Sequence, residues 1–190
     1  MTELALRHAT YEDLLKVPDH LVAELIDGEL YTSPRPGSRC ARVSSVLSAT
    51  LSNFFDRDDR GPDGWWIVNE PELHLAGNAL VPDIAGWRRE RLPIYPDAPA
   101  FEFPPDWCCE VQSPTSGLVD RVKKRPLYAK HGVQHVWLVD PIAQLVKVYR
   151  LESGRWVVAG NYGGDDVVRI EPFEEFELAL SRLWIESAPK

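Results

Sequence analysis

Apolar residues recur along the chain at two spacings, one typical of helices and one typical of strands. Between Ser38 and Phe55 they return every three to four residues, which predicts an amphipathic helix that covers one face of a sheet. Residues 21–26 and 29–32 are strand-like segments that flank Asp27-Gly28, a dipeptide suited to the positive backbone angles of a type I′ turn. This part of the chain therefore predicts a β-hairpin followed by a helix.

Further segments rich in β-branched and aromatic residues predict strands at 65–68, 72–75, 80–85, 106–111, 136–139, 144–150, 155–160 and 166–170. Two of them, 106–111 and 136–139, are almost continuously apolar, which is typical of central strands buried on both faces. A helix over 118–131 is predicted to join them and to bend at Pro126, because proline removes a helical hydrogen bond. The proline-rich residues 88–105 predict a long surface loop, of the kind that often forms a lid.

The mixture of helices and strands predicts a protein of the α/β (α+β) class, with a sheet covered by helices. A chain of 190 residues with 44% hydrophobic content suits one globular domain, spanning residues 1–190. The sequence lacks a run of about 18 apolar residues, and its first residues lack the pattern of a signal peptide. A cytoplasmic protein without membrane contact is therefore expected.

The formal charge of −8 argues against a protein that coats nucleic acids non-specifically, because such binding depends on lysine and arginine side chains that neutralise phosphates. Nucleic acid contacts are expected only at local basic patches. The candidates are Arg88, Arg89 and Arg91, together with Arg121, Lys123, Lys124 and Arg125. Bound metal ions would cancel part of the acidity at the site itself.

Two carboxylates stand at or near predicted strand ends. Asp83 follows Val81-Pro82, and Glu110 lies inside an apolar run where an unpaired carboxylate is costly to bury. If their strands are neighbours, the two carboxylates meet at one edge of the sheet and can share a hard cation such as Mg²⁺. Such an ion activates water and takes up negative charge on a scissile phosphate. The pattern indicates metal-assisted phosphodiester hydrolysis.

A lysine and a further acid are candidates for the same site. Asp120, Lys124 and Tyr128 are spaced by four residues, so they share one helix face unless the predicted bend separates them. Lys124 is the candidate for orienting the nucleophile or stabilising the transition state, and the adjacent Lys123 competes for that role. Glu24 is the candidate third ligand or orienting group, although on an alternating strand it can also face water.

Taken together, these residues resemble the PD-(D/E)XK restriction-endonuclease-like superfamily and, within it, the Uma-type family of proposed endonucleases. The resemblance covers residues 10 to 185. It rests on Glu24-Leu25-Ile26-Asp27-Gly28-Glu29, Val81-Pro82-Asp83, Glu110-Val111-Gln112-Ser113-Pro114-Thr115, Asp120 with Lys124 and Tyr128, and Gly132-Val133 leading to Trp137-Leu138-Val139-Asp140-Pro141.

The resemblance implies a restriction-endonuclease-like fold, with a mixed central β-sheet flanked by helices and additional antiparallel strands at both ends. It implies that Asp83 and Glu110 are similar to the metal ligands of that family, which use Mg²⁺ or Mn²⁺, and that Lys124 is similar to its lysine, moved from a strand to a helix. DNA is the implied substrate, and a homodimer is implied because cutting both strands commonly uses two copies. In two departures, Gln112 stands at the usual lysine position and Cys40 stands where relatives often carry a histidine.

Two other functions remain open at this point. One is a catalytically silent domain of the same fold that serves in binding or assembly, and the other is a hydrolase of a small phosphate ester. The presence of Asp83, Glu110 and Lys124 favours an active nuclease, whereas the net acidity and the short basic patches favour the alternatives.

Overall fold

The computed structural model describes residues 8–57, 63–113 and 117–185. Its strands are β1 (Leu21–Ile26), β2 (Glu29–Pro34), β3 (Trp65–Asn69), β4 (Leu73–Leu75), β5 (Asn78–Leu80), β6 (Ile84–Arg88), β7 (Trp107–Val111), β8 (His135–Asp140), β9 (Leu145–Glu152), β10 (Arg155–Gly163), β11 (Val167–Val168) and β12 (Leu178–Ala179). Its helices are α1 (Tyr11–Leu14), α2 (Ser38–Phe55), α3 (Gly117–Val119) and α4 (Arg125–Lys130), with a π-helical turn over Asp120–Lys124 and a 3₁₀ turn at Leu180–Arg182. None of the described helices is long and apolar enough to cross a membrane.

A six-stranded mixed sheet forms the centre of the fold, in the order β10-β9-β8-β7-β6-β3. β7 and β8 are parallel, whereas the other neighbouring pairs in this sheet are antiparallel. Parallel strands need a crossover connection. The connection from β7 to β8 contains α3, the π turn and α4, which together are called the helical segment. The predicted mixed central sheet with flanking helices is confirmed.

Antiparallel strands extend the fold on both sides, as predicted. Near the start of the chain, β1 and β2 form the predicted hairpin, whose turn residues Asp27 and Gly28 have φ angles of 49° and 78°. This hairpin joins β5 and β4 in a second, four-stranded sheet. Towards the end of the chain, β9 and β10 extend the central sheet. The strand predicted over 166–170 is shorter, because only Val167–Val168 pair with β12, in a separate small sheet.

The central sheet is buried on both faces, as its apolar runs predicted. Along β7, Trp107 and Cys109 pack into the core that includes the apolar side of α2. Cys108 points to the other face and packs into a second core with Leu127 of α4. Since side chains alternate along a strand, Glu110 lies on the same face as Cys108, which is the side that carries α4.

The single strand predicted over residues 80–85 is wrong. Three residues separate β5 from β6, and these two strands belong to different sheets. Pro82 has no N–H to donate to a strand. The N–H of Val81 donates to the Glu24 carboxylate, and the Val81 carbonyl accepts from the Lys124 ammonium. The chain therefore crosses between the two sheets in a segment that is held by side chains rather than by a neighbouring strand.

The helix predicted over residues 118–131 is present with a different irregularity. Proline cannot donate the helical hydrogen bond, and a kink was expected at Pro126. The structure instead has a wide turn immediately before the proline, in which the N–H of Arg125 donates to the carbonyl of Asp120, five residues earlier. The wide turn leaves Asp120 and Lys124 buried on one side of the helical segment.

The long loop at 88–105 packs against the sheet. The ring of Phe101 stacks on Trp87 with centroids 4.2 Å apart, and the indole N–H of Trp87 donates to the carbonyl of Phe103 at 3.0 Å. β6 begins next to Asp83 and ends where this loop starts. The loop therefore begins at the end of β6 that is far from Asp83, and it is not placed as a lid over Asp83.

Candidate active site

Asp83 and Glu110 lie at adjoining ends of two neighbouring strands of the central sheet, β6 and β7. β6 and β7 are antiparallel with Ile84 opposite Cys109, so the residue before Ile84 lies beside the residue after Cys109. Asp83 is half-buried, and its Oδ2 accepts the N–H of Val111 at 2.7 Å. The predicted meeting of two strand-end carboxylates is therefore present in the structure.

Glu110 is buried, with 1% of its surface exposed, and is held by two side chains from the helical segment. The Lys124 ammonium lies 3.0 Å from Oε1 and 3.1 Å from Oε2, and the hydroxyl of Tyr128 donates to Oε1 at 2.6 Å. These donors compensate the cost of burying a carboxylate among apolar neighbours. They also fix the direction in which the carboxylate points.

Glu24 faces this site rather than water. It lies in the middle of β1, in the second sheet, and its Oε1 accepts the N–H of Val81 at 2.7 Å. The same oxygen lies 2.9 Å from the Lys124 ammonium. The second sheet therefore contributes one acid to a site whose other acids come from the central sheet and the helical segment.

Lys124 is the lysine of this site, and Lys123 is not. The side chain of Lys124 is only 2% exposed, and its ammonium contacts Glu24, Glu110 and the carbonyl of Val81. Lys123 points outward to Glu29, at 3.3 Å. The two lysines point in different directions because adjacent helical residues cannot share a face.

Two more acids line the same cavity and were not placed in the site from the sequence. Asp120 has an oxygen 3.7 Å from the Lys124 ammonium, and Glu70 stands at the end of β3. The sequence did place Asp120 on the face of Lys124, which was the available signal for it, whereas Glu70 had none. The cavity measures about 60 Å³, several times the space that one water needs. Its charged lining residues are Glu24, Glu70, Asp83, Glu110, Asp120 and Lys124.

Among the described residues, five carboxyl groups and one ammonium line the cavity, and burial changes the pKa of several of these groups. Burial raises the pKa of Asp83 from 3.8 to about 6, against the opposing effect of the Val111 N–H and of Lys124. Burial also raises the pKa of Glu110 well above its ordinary value. Burial alone would lower the pKa of Lys124, yet Glu110, Glu24 and the neighbouring Asp120 together raise it well above its usual range. The lysine therefore stays charged.

The surplus of carboxyl groups over ammonium groups in this cavity suits a hard divalent cation, which prefers oxygen ligands. Among the described residues, no group of three or more His, Cys, Asp or Glu side chains is arranged to hold a metal ion. Mg²⁺ does not need such a cage, because it commonly binds through one or two carboxylates and keeps several waters. Asp83 and Glu110, which lie side by side at the sheet edge, fit that requirement.

The first basic patch predicted from the sequence does not adjoin this cavity. Arg88 ends β6 and Arg89 follows it, at the end of the strand opposite Asp83. Arg89 pairs with Asp56 at 2.7 Å, and Arg91 pairs with the buried Asp106. The other candidates, Arg121 to Arg125, lie on the helical segment that contributes Lys124.

The two departures from the expected pattern have structural explanations. Gln112 does not point into the acidic cavity, because its Oε1 accepts a hydrogen bond from Arg121 on the other side. Cys40 of α2 does line the cavity, and its thiol contacts the carbonyl of Gln112 at 3.7 Å. Pro114 and Thr115 of the sequence motif lie outside the described residues.

The central sheet is mixed, and it has an acidic cavity at the ends of two neighbouring strands. A lysine of the helical segment points into this cavity. These features define a restriction-endonuclease-like fold. The chain belongs to the Uma2 family, whose model carries the description "Putative restriction endonuclease" and matches residues 9–181. The predicted resemblance is therefore confirmed.

A solved structure supports the same assignment. The chain is similar to a protein from Anabaena variabilis ATCC 29413 whose crystal structure is described as that of "a putative nuclease belonging to DUF820". The two sequences are 26% identical, the TM-score is 0.72, and the match covers 92% of this chain and 96% of the other. A comparison with curated proteins found no match.

Proposed function

We propose that this protein is a Mg²⁺-dependent endonuclease that hydrolyses phosphodiester bonds in DNA. The observation that carries the proposal is the cavity in which Asp83 and Glu110 lie side by side with one fully buried lysine and an excess of carboxylates. The description of the family and that of the solved relative both support a nuclease.

In this proposal Asp83 and Glu110 hold the ion. Bound there, Mg²⁺ supplies Lewis acidity at the scissile phosphate and lowers the pKa of water. Asp83 must be ionised to serve as a ligand, and its pKa of about 6 makes this the normal state above that pH. Tyr128 donates to Glu110 at 2.6 Å and so keeps its carboxylate in one orientation.

Lys124 provides the positive charge of the chain itself. Its ammonium is oriented by Glu24 at 2.9 Å and by the carbonyl of Val81 at 3.1 Å, so its position does not depend on substrate. A fixed ammonium beside the ligands can orient the attacking water and stabilise the negative charge that develops on the phosphate. Glu24 acts through this lysine as a positioning residue.

The test is cleavage of supercoiled plasmid DNA with Mg²⁺ by the wild type and by Asp83→Asn and Glu110→Gln. We expect each variant to lose at least about 100-fold in rate, because each removes a charged ligand of the ion. Glu174→Gln is the matched control, since it removes an equal charge at an exposed position. Circular dichroism should show that all four proteins are folded.

Calorimetric titration of Mg²⁺ into the same samples separates the alternatives. Ion binding and cleavage that are both lost in the variants agree with the proposal. Ion binding without DNA cleavage in the wild type would point to a small phosphate ester as substrate. Folded wild-type protein that neither binds Mg²⁺ nor cleaves DNA would identify a silent domain.

We also propose that the protein acts as a homodimer, because cutting both strands at one place commonly uses two copies of an active site. Sedimentation velocity should give twice the monomer mass at micromolar concentration, and a monomer that cuts both strands would contradict this. The cytoplasmic location remains a prediction from the sequence.

A further inference from the structure

A second, wider cleft adjoins the acidic cavity. It measures about 410 Å³, and Ser113 lines both it and the cavity, so the two lie side by side. Gln112 and Arg121 line the cleft, with Leu118 and Ile142 among its other walls. Leu118 and Ile142 are 74% and 69% exposed, which leaves the cleft open at its rim.

Gln112 presents an unused hydrogen-bond donor here. Only 7% of the residue is exposed, and its Oε1 already accepts from Arg121. Its amide nitrogen is buried and has no acceptor among the described residues. A buried amide N–H without an acceptor is unfavourable, so this side chain is set up to donate to a group that the protein itself does not supply.

Arg121 differs from the two lysines near the site. Lys124 is paired with acids in the cavity and Lys123 with Glu29. Within the described part of the chain, no carboxylate pairs with Arg121, whose partner is the neutral amide of Gln112. Its charge therefore remains available, and a guanidinium has donors to spare after one hydrogen bond.

Among the described residues, Asp140 is the one acid that lines this cleft. Its Oδ1 accepts the backbone N–H groups of Ile142 and Ala143, both at 2.9 Å. Two such bonds disperse part of its negative charge. The groups left to receive a ligand are then an amide N–H and a guanidinium, and both of these only donate. Paired donors of this kind suit the oxygens of a phosphate.

We propose that Gln112 and Arg121 form a subsite for a backbone phosphate of DNA next to the phosphate that is cleaved at Asp83 and Glu110. The inference rests on the proposed function. Gln112 follows Glu110 by two residues, a step of about 6.6 Å along an extended chain. Arg121 follows Asp120 in the π turn, so one helical segment serves both sites. The residue at the usual lysine position thus binds substrate rather than taking part in catalysis.

The test compares Arg121→Gln with Lys130→Gln, which removes the same charge from an exposed position at the end of α4. Binding of a DNA duplex is followed by fluorescence anisotropy with Ca²⁺ in place of Mg²⁺, between 50 and 200 mM salt. We expect Arg121→Gln to weaken binding about tenfold and to reduce the salt slope by about one, as for the loss of one phosphate contact. Lys130→Gln should change affinity less than about twofold. Equal effects of the two variants would overturn the inference.

A neutral methylphosphonate linkage, placed in turn at each phosphate flanking the mapped cut, locates the contact. At one of these positions the wild type should lose about tenfold in affinity, and Arg121→Gln should lose nothing further. Gln112→Ala should weaken binding severalfold without changing the salt slope, because the amide is neutral. An Arg121→Gln variant that remains as sensitive as the wild type to every neutral linkage would overturn the inference.

A metal-free titration separates failure of this inference from failure of the nuclease function. The side-chain amide resonance of Gln112 is followed by ¹⁵N NMR as dimethyl phosphate is added to the wild type and to Arg121→Gln. A shift in the wild type alone supports an anion subsite even if no DNA is cut. No shift in the wild type would overturn the subsite, whether or not plasmid DNA is cleaved.

Discussion

Replacing Asp83 by asparagine is expected to stabilise the metal-free protein at neutral pH while abolishing its proposed activity. Burial raises the pKa of this carboxyl from 3.8 to about 6. The difference of about 2.2, at about 1.36 kcal/mol per pKa unit, means that ionising Asp83 costs the fold at most about 3 kcal/mol. The side chain is only half-buried, so solvent screens part of this cost and a gain of about 1–3 kcal/mol is expected.

The pH dependence of this gain follows from the direction of the pKa change. Between pH 3.8 and about 6 the folded protein keeps a proton on Asp83 that the unfolded chain has lost, so folding stability falls as pH rises through this range. Above about pH 6 the cost is fully present. The gain from Asp83→Asn should therefore be largest at pH 7–8 and should disappear as the pH approaches 4.

Urea denaturation in EDTA at pH 8, 6 and 4.5 measures the effect. Asp106→Asn is the matched control, for which the opposite change in folding stability is expected. Asp106 is also buried, but it accepts from the N–H of Arg88 at 2.9 Å and pairs with Arg91. This substitution should destabilise the protein at pH 8. If Asp83→Asn is less stable than the wild type at pH 8, or gains equally at pH 4.5, the reasoning about the cost of ionising this buried carboxyl is refuted. Added Mg²⁺ should stabilise the wild type and Asp106→Asn, which keeps both proposed ligands, but not Asp83→Asn.

Three further substitutions test the packing of the site. Lys124→Met leaves its buried carboxylate partners without a cation and should cost about 3–5 kcal/mol in urea denaturation at pH 7; a loss below about 1 kcal/mol would contradict the pairing. Tyr128→Phe removes the hydroxyl that donates to Glu110 and should lower stability by about 1–3 kcal/mol with the fold retained, so an unchanged melting temperature would argue against that bond. Gly86→Ala brings a Cβ to 3.1 Å from the Trp65 ring and should cost about 1–3 kcal/mol in thermal unfolding, whereas full tolerance would show that the ring can move.

The sequence predicted the elements whose signals are local. The β1–β2 hairpin depends on Asp27-Gly28, which adopts positive φ angles, and α2 depends on an apolar stripe that is complete within its own residues. The buried strands β7 and β8 were predictable because burial on both faces demands a continuous apolar run. Glu110 stood out for the same reason, as the one charged residue within β7.

The features that could not be predicted depend on partners far away in the chain. The break between β5 and β6 is held by Glu24 and Lys124, which lie 57 and 43 residues from Val81. Local propensity carries no information on such contacts, so the apolar segment around Pro82 predicts one continuous strand. Glu70 likewise enters the cavity only because β3 pairs with β6, where Asn69 lies opposite Ile84.

The position of the lysine explains why Gln112 does not prevent a complete site. Beyond the end of β7, the side chain of Gln112 turns away from the cavity and towards Arg121. A lysine at that position with the same orientation would not reach Glu110. Lys124 instead approaches from the crossover helix and contacts both carboxylate oxygens of Glu110. The π turn before Pro126 leaves Lys124 on the buried side of the helical segment. The helical segment, rather than the strand, therefore sets the position of the lysine in the site.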